Sequence, residues 1–168
     1  MKNRPPDSTD SKAGFTLVEV GIASTVLLAV VVGSLSVFLV LQNTWFATSL
    51  NLRASSKVSN ALTKIVYGAG STNAGVREAD ISEAILYSGG INGRWQIQFF
   101  GTNSNEFVDY NPANGIISNQ HGFIFCDNVT TSSATFQNNG CRIQISVREI
   151  GGRNQADATM STFVRFRN

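Results

Sequence analysis

The chain has 168 residues, of which 42 % are apolar and 14 % charged, and its 13 basic and 11 acidic side chains leave a net charge of +2. This length suits one compact domain with additional segments. The basic residues are few and scattered, which does not indicate a nucleic-acid-binding surface, and the apolar content argues against a chain that is disordered throughout.

Residues 1–14 form a polar segment that carries Lys2, Arg4 and Lys12 against two aspartates and contains the pair Pro5 and Pro6. Consecutive prolines and a polar composition predict a tail without an ordered element.

A long apolar segment follows this tail. Residues 20–52 contain no Asp, Glu, Lys or Arg, and residues 20–41 are dominated by Val, Leu, Ile, Ala and Phe. A helix of about 22 residues extends about 33 Å, which matches a bilayer. A secretory signal has a shorter apolar region, and a soluble protein needs a large core to bury a helix that is apolar on all sides. The sequence therefore predicts a transmembrane helix, and the basic tail favours a cytoplasmic N-terminus.

Glu19 lies at the start of this apolar segment, where an ionised carboxylate is costly without a partner. Alone, it suits the headgroup level or the positive end of a helix dipole. The motif around it consists of Gly14, Phe15, Thr16, Leu17, Val18 and Glu19. A glycine, this motif and a long apolar helix in that order resemble the N-terminal cleavage and methylation motif of type IV pilins and of the pseudopilins of type II secretion.

This resemblance implies that a membrane-embedded prepilin peptidase cuts after Gly14 and methylates the new N-terminus, Phe15. Thr16, Leu17 and Val18 belong to the processing motif, and Glu19 becomes the fifth mature residue. In a filament its carboxylate is expected to pair with the N-terminal amine of a neighbouring subunit, where it fixes axial register more than it adds stability.

Past residue 41 the apolar residues become periodic. Val58, Leu62, Ile65 and Val66 follow helical spacing, which predicts an amphipathic helix. With no proline between Pro6 and Pro112, one helix is expected from Phe15 to about Tyr67, ended by the glycine-rich residues 68–75. Trp45 and Phe46 either lie at the membrane interface or in filament contacts, or pack on the globular part.

Strand patterns begin near Arg94. Apolar and polar residues alternate through residues 95–99 and 143–147, and residues 163–166 suggest a last strand. We predict an α+β fold in which five or six short strands form one antiparallel sheet that packs on the amphipathic half of the helix, as the resemblance to pilins also implies. Residues 76–90 suggest a short helix or strand.

The predicted organisation has five segments. They are a cytoplasmic leader at 1–14, a transmembrane or filament-core helix at 15–41, its amphipathic continuation at 42–67, a connector at 68–93 and the antiparallel sheet at 94–168.

The two cysteines, Cys126 and Cys141, predict a disulfide in an oxidising compartment, with two buried thiols as the alternative. Only His121 could join them as a metal ligand, so neither a metal nor a cofactor is expected. Glu106 and Asp109 suggest solvated loop residues rather than an acid and base pair. No enzymatic activity is predicted.

The expected function is that of a minor pilin or pseudopilin, because many major pilins carry a proline where this chain has Ser36, and because the polar segment after the span and the C-terminal ending resemble minor pseudopilins. The expected partners are the prepilin peptidase, other pilins through the N-terminal helix, the assembly platform of the bacterial inner membrane and the bilayer. The C-terminal part is expected outside the cytoplasm. A major pilin, an adhesive or DNA-binding module at a filament tip, and an uncleaved membrane-anchored sensor or scaffold are the alternatives.

Overall fold

The computed structural model describes residues 15–69, 75–78, 84–88, 93–100, 105–152 and 154–166. The predicted leader and Gly14 therefore lie outside the described residues. The chain divides into two compact units, an N-terminal unit of residues 1–43 and a C-terminal unit of residues 44–168. A single helix, α1, contributes residues to both.

Helix α1 runs without interruption over Leu17–Tyr67, 51 residues in all. It ends where glycine allows the backbone to turn: Gly68 has a φ of 85° and donates its N–H to the carbonyl oxygen of Lys64 at 2.8 Å. This contact closes the last turn in the left-handed cap that glycine favours. The predicted single helix and its C-terminal boundary are confirmed.

The N-terminal unit contains the most apolar part of α1. The most apolar 18-residue window of the helix has a mean hydropathy of 2.5, and none of it is buried. By length and composition the helix is apolar enough to cross a membrane.

The C-terminal unit contains a short 3-10 helix at Val76–Glu78 and eight strands among the described residues. The strands are β1 Ile85–Ser88, β2 Trp95–Phe100, β3 Asn105–Asn111, β4 Ile116–Asn119, β5 Ile124–Cys126, β6 Val129–Gln137, β7 Gly140–Gly151 and β8 Asn154–Arg165. They form a five-stranded sheet in the order β1-β2-β3-β4-β5 and a three-stranded sheet in the order β6-β7-β8. All pairs are antiparallel.

The prediction of a single sheet is wrong, although the α+β layout with antiparallel pairing is confirmed. Strand β6 pairs with β7 and begins the second sheet after Asn128, whose φ of 56° turns the chain away from β5. Sequence reasoning missed β6 because it is rich in Ser and Thr and buries only Val129 and Ala134. Such a strand has no clear apolar alternation.

The core of the C-terminal unit lies between α1 and both sheets. Val58, Leu62 and Ile65 of α1 belong to the same buried cluster as Ile97 of the five-stranded sheet and Ile143 of the three-stranded sheet. The predicted packing of the amphipathic half of the helix on a sheet is therefore confirmed, and the helix covers two sheets rather than one.

Replacing Ile143 by alanine is expected to lower the free energy of unfolding by about 2–5 kcal/mol, because Ile143 is fully buried and the change leaves a cavity. Ile150→Ala, in the same strand, is the matched control. Ile150 is 70 % exposed, so the change is expected to stay within about 0.5 kcal/mol. Denaturant unfolding of the full chain in detergent, followed by circular dichroism, measures both. Equal losses in the two variants would contradict the assigned core.

Candidate functional site

The first turn of α1 holds Thr16 and Glu19 in a reciprocal cap. The Thr16 N–H donates to Glu19 Oε2 at 2.9 Å, and the Thr16 hydroxyl donates to the same oxygen at 3.0 Å. The Glu19 N–H in turn donates to Thr16 Oγ1 at 3.3 Å. This is a capping box, in which Thr and Glu three residues apart satisfy backbone groups that the helix leaves open.

The capping box gives the Glu19 carboxylate hydrogen-bond partners at the edge of the apolar segment, where an unpartnered charge is costly. Glu19 has a local partner, Thr16, which sequence reasoning assigned only to the processing motif. The signal was present, since a Thr followed three residues later by Glu before an apolar run is the pattern of such a cap. In the described residues the hydrogen bonds of the Glu19 side chain all use Oε2, so Oε1 keeps its capacity to accept.

The surface around Glu19 is an open apolar groove. Glu19, Ala23 and Leu27 recur every four residues of α1, which places them on one helix face. They line this groove together with Phe15, Val20 and Ser24. Phe15 is 86 % exposed. The carboxylate thus lies in an apolar surface that other apolar groups can cover.

The hydroxyl groups in the apolar segment are bonded within the helix. Ser24 donates to the Val20 carbonyl at 2.7 Å, and Ser34 donates to the Val30 carbonyl at 2.8 Å. Thr25 and Ser36 do the same with carbonyls of the preceding turn. Because these donors are satisfied, they add little polar cost to a surface that contacts lipid or another helix.

Trp45 and Phe46 are 72 % and 50 % exposed. The expected alternative that they pack on the globular part is not observed, so both remain available at the surface of α1.

The structure does not contain the predicted disulfide between Cys126 and Cys141. Both residues are free, buried thiols. They lie in different sheets, Cys126 at the end of β5 and Cys141 near the start of β7. Strand β6 explains the separation. Its first residue, Val129, follows Cys126 by three residues and pairs with Val147 of β7. Val147 and Cys141 are six residues apart along β7, which is about 20 Å at the usual rise. A disulfide needs Cα atoms within about 7 Å.

Burial has a direct effect on both thiols. It raises the pKa of Cys126 to about 11 and the pKa of Cys141 to about 12. Since the thiolate is the reactive form, neither cysteine has the environment of a nucleophile.

The two carboxylates considered as an acid and base pair lie on β3 rather than in a loop. Glu106 is 8 % exposed and faces inward, whereas Asp109 lies on the opposite face and binds Arg94 through two hydrogen bonds of 2.9 and 3.0 Å. The two acids therefore cannot act on one substrate atom.

The polar cluster around Glu106 was not predicted. The Gln120 amide donates to Glu106 Oε2 at 2.6 Å, and Gln120 Oε1 accepts the N–H of Phe107, also at 2.6 Å. His121 Nε2 lies 3.9 Å from Glu106 Oε1 and is largely exposed. Within the described ranges no group of His, Cys, Asp and Glu is arranged to hold a metal ion. The cluster instead joins β3 to the turn after β4.

Neither family models, curated proteins nor solved structures match this chain. The function must therefore be argued from the residues themselves.

Both thiols are expected to react slowly with iodoacetamide at pH 8 while the protein is folded. A rise in pKa from 9.0 to about 11 or 12 lowers the thiolate fraction at least about hundredfold, and burial restricts access further. Mass spectrometry of the full chain in detergent, before and after unfolding without reductant, counts the labels.

Two labels after unfolding without reductant are the expected result. The single variants Cys126→Ser and Cys141→Ser, each giving one label, are the controls. Labels that appear only after a reductant is added would contradict the free thiols.

Proposed function

We propose that this chain is a minor pilin or pseudopilin, a structural subunit of a type IV pilus or of a type II secretion pseudopilus. It is cleaved after Gly14 by a prepilin peptidase, held in the bacterial inner membrane by α1 and assembled through that helix. The observation that carries the proposal is a carboxylate, Glu19, fixed in the first helical turn after Gly14 and Phe15, at the head of a helix whose apolar surface is uncovered.

The uncovered surface supports two successive environments. The large apolar side chains of residues 17–41 are 45–91 % exposed within this chain. Such a surface is stable in hydrocarbon or against other apolar helices, and it is unfavourable in water. A subunit that moves from a bilayer into a filament core keeps this surface covered in both places.

Glu19 supplies the specific part of the proposal. Cleavage after Gly14 leaves an ammonium group on Phe15 next to the capped first turn. Glu19 Oε2 keeps its hydrogen bonds from Thr16, while Oε1 accepts a hydrogen bond from the ammonium group of an adjacent subunit. A pair removed from water gains little net stability, because both charges lose hydration, but a misplaced neighbour leaves a buried charge unpaired. The pair therefore selects one axial register.

The proposed orientation of the chain in the membrane also indicates where its partners act. The basic tail favours a cytoplasmic N-terminus, which places the C-terminal unit outside the cytoplasm. The peptidase and the assembly platform of the inner membrane then act at the cytoplasmic end of α1, and other pilins contact its apolar length.

The mature N-terminus tests cleavage directly. Mass spectrometry of the protein purified from cells that contain a prepilin peptidase is expected to show a chain that begins at Phe15 and carries one added methyl group. Gly14→Ile is expected to keep its first 14 residues, because a cleft that closely surrounds the bare backbone of a glycine has no room for a branched side chain. Native protein that retains these residues would instead support an uncleaved membrane-anchored sensor or scaffold.

Glu19→Gln is expected to be inserted and cleaved normally but to enter sheared filaments at least about tenfold less than the native chain. Glutamine keeps an oxygen for the cap and loses the charge that pairs with the amine, and breaking one side of a desolvated pair costs about 3–5 kcal/mol. Ser36→Ala is the control, since Ser36 bonds only to the Val32 carbonyl of its own helix. Quantitative immunoblots of membrane and filament fractions measure the ratio. Equal incorporation of both variants would reject the register role.

A further inference from the structure

Strand β8 is the outermost strand of the three-stranded sheet. Its 12 residues pair with β7 without a register shift, and no strand in the described part of the chain pairs with its other edge. A strand of this length and regularity offers a continuous row of backbone groups.

The register shows which backbone groups point outward. The Phe166 N–H donates to the Asn139 carbonyl at 2.9 Å, which continues the ladder beyond β8. Because hydrogen-bonded and non-hydrogen-bonded pairs alternate in an antiparallel ladder, the even-numbered residues of β8 bond to β7. The N–H and C=O groups of Thr159, Ser161 and Phe163 therefore point to the free edge, and all three residues are exposed.

The other sheet edges in the described residues are short or distorted. Strand β1 has four residues and β5 has three, and the β4–β5 ladder is irregular. Strand β6 has a register shift near its start and lies against β1 and β2. Proteins commonly protect sheet edges in these ways or with charge, proline or a bulge. Residues 158–164 of β8 contain no charged residue, proline or glycine.

A groove runs beside this edge, within the C-terminal unit, and the 3-10 helix at Val76–Glu78 also lies near β8. It is open to solvent, has a volume of about 470 Å³ and lies between α1 and β8. Its walls include Leu62, Thr63, Val66 and Tyr67 of α1 and Met160 of β8, and none of the lining residues is charged.

We propose that the outer edge of β8 binds an extended, uncharged strand of a second polypeptide by strand addition. The outward groups of Thr159, Ser161 and Phe163 supply main-chain hydrogen bonds, and alternate side chains of the added strand enter the groove. A neutral strand fits, since the uncharged groove offers no partner to a charge that leaves water.

The probe is a blocked synthetic peptide with the sequence Thr-Ile-Gln-Ile-Ser-Val-Thr. It copies residues 143–147, the part of β7 that pairs with β8, and has threonine in place of the two flanking arginines. A peptide with glutamate at the two Ile positions and the Val position is its charged control. Fluorescence anisotropy with the full chain in detergent micelles is expected to give saturable binding of the first peptide, at least about tenfold tighter than of the second.

Ser161→Pro removes one outward N–H without removing a bond to β7, and proline is tolerated on the free side of an edge strand. It is expected to weaken peptide binding at least about tenfold. Ser161→Ala, which keeps the N–H, is the matched control and is expected to bind as the native chain does. Thr63→Glu places a charge in the groove from an exposed helix position and leaves β8 unchanged. It is expected to weaken binding by a similar factor.

Hydrogen exchange gives a residue-level readout. The peptide is expected to slow the outward amides of Thr159, Ser161 and Phe163, whereas the inward amides of Met160 and Thr162 are already protected by β7. Absence of saturable binding, or binding by Ser161→Pro and Thr63→Glu as tight as by the native chain, would overturn the proposal. Protection that grows with protein concentration in the absence of peptide would also overturn it, because a second copy of this chain would then fill the edge.

Discussion

The uncovered apolar surface of the first half of α1 is the constraint on which the rest depends. Removal of such a surface from water is worth about 25 cal/mol for each Å², so some other apolar material must cover it. The polar groups of this half are bonded within the helix, which lowers the cost of covering it with apolar groups. Serine and threonine hydroxyls donate to carbonyls of the preceding turn, and Thr16 and Glu19 cap the first turn. The charge of Glu19 remains at the head of this surface, and in the proposed assembly it pairs with the N-terminal amine of a neighbouring subunit.

In the C-terminal unit, the second half of the same helix is partly buried, whereas the first half is exposed. Here one face of α1 is buried against two sheets, and Lys57 links it to both, through Asp127 after β5 and Glu149 in β7. Burial lowers the pKa of Lys57, but the hydrogen bonds and charges of the two carboxylates outweigh it, so the pKa lies above its ordinary value. The half-buried ammonium group therefore stays charged at neutral pH and joins three elements that are distant in sequence.

The sequence predicted those features whose signals are local and strong. The bounds of α1 followed from an apolar run, a helical period and a terminal glycine, and strands β2 and β7 followed from strict alternation. Strand β6 was missed because serine and threonine occupy most of its positions, and the single sheet was wrong as a result. The same strand explains the failure of the predicted disulfide: the number of residues between Cys126 and Cys141 says nothing about the path that they follow. The inward orientation of Glu106 depends on its partner Gln120, which no local pattern reveals.

The strand order has a consequence for how the C-terminal unit forms. Each strand that the structure describes pairs only with its neighbours in sequence, β1 through β5 in one sheet and β6 through β8 in the other. Such local pairing costs little loop-closure entropy and favours rapid formation of each hairpin. The packing of α1 is different, because Lys57 and Glu149 are separated by 92 residues. The buried face of the helix therefore gains its full cover only after β7 is made, and until then part of the surface of Val58, Leu62 and Ile65 is exposed. Anchoring the helix through its N-terminal half while the strands form would keep this second apolar face near the strands that cover it.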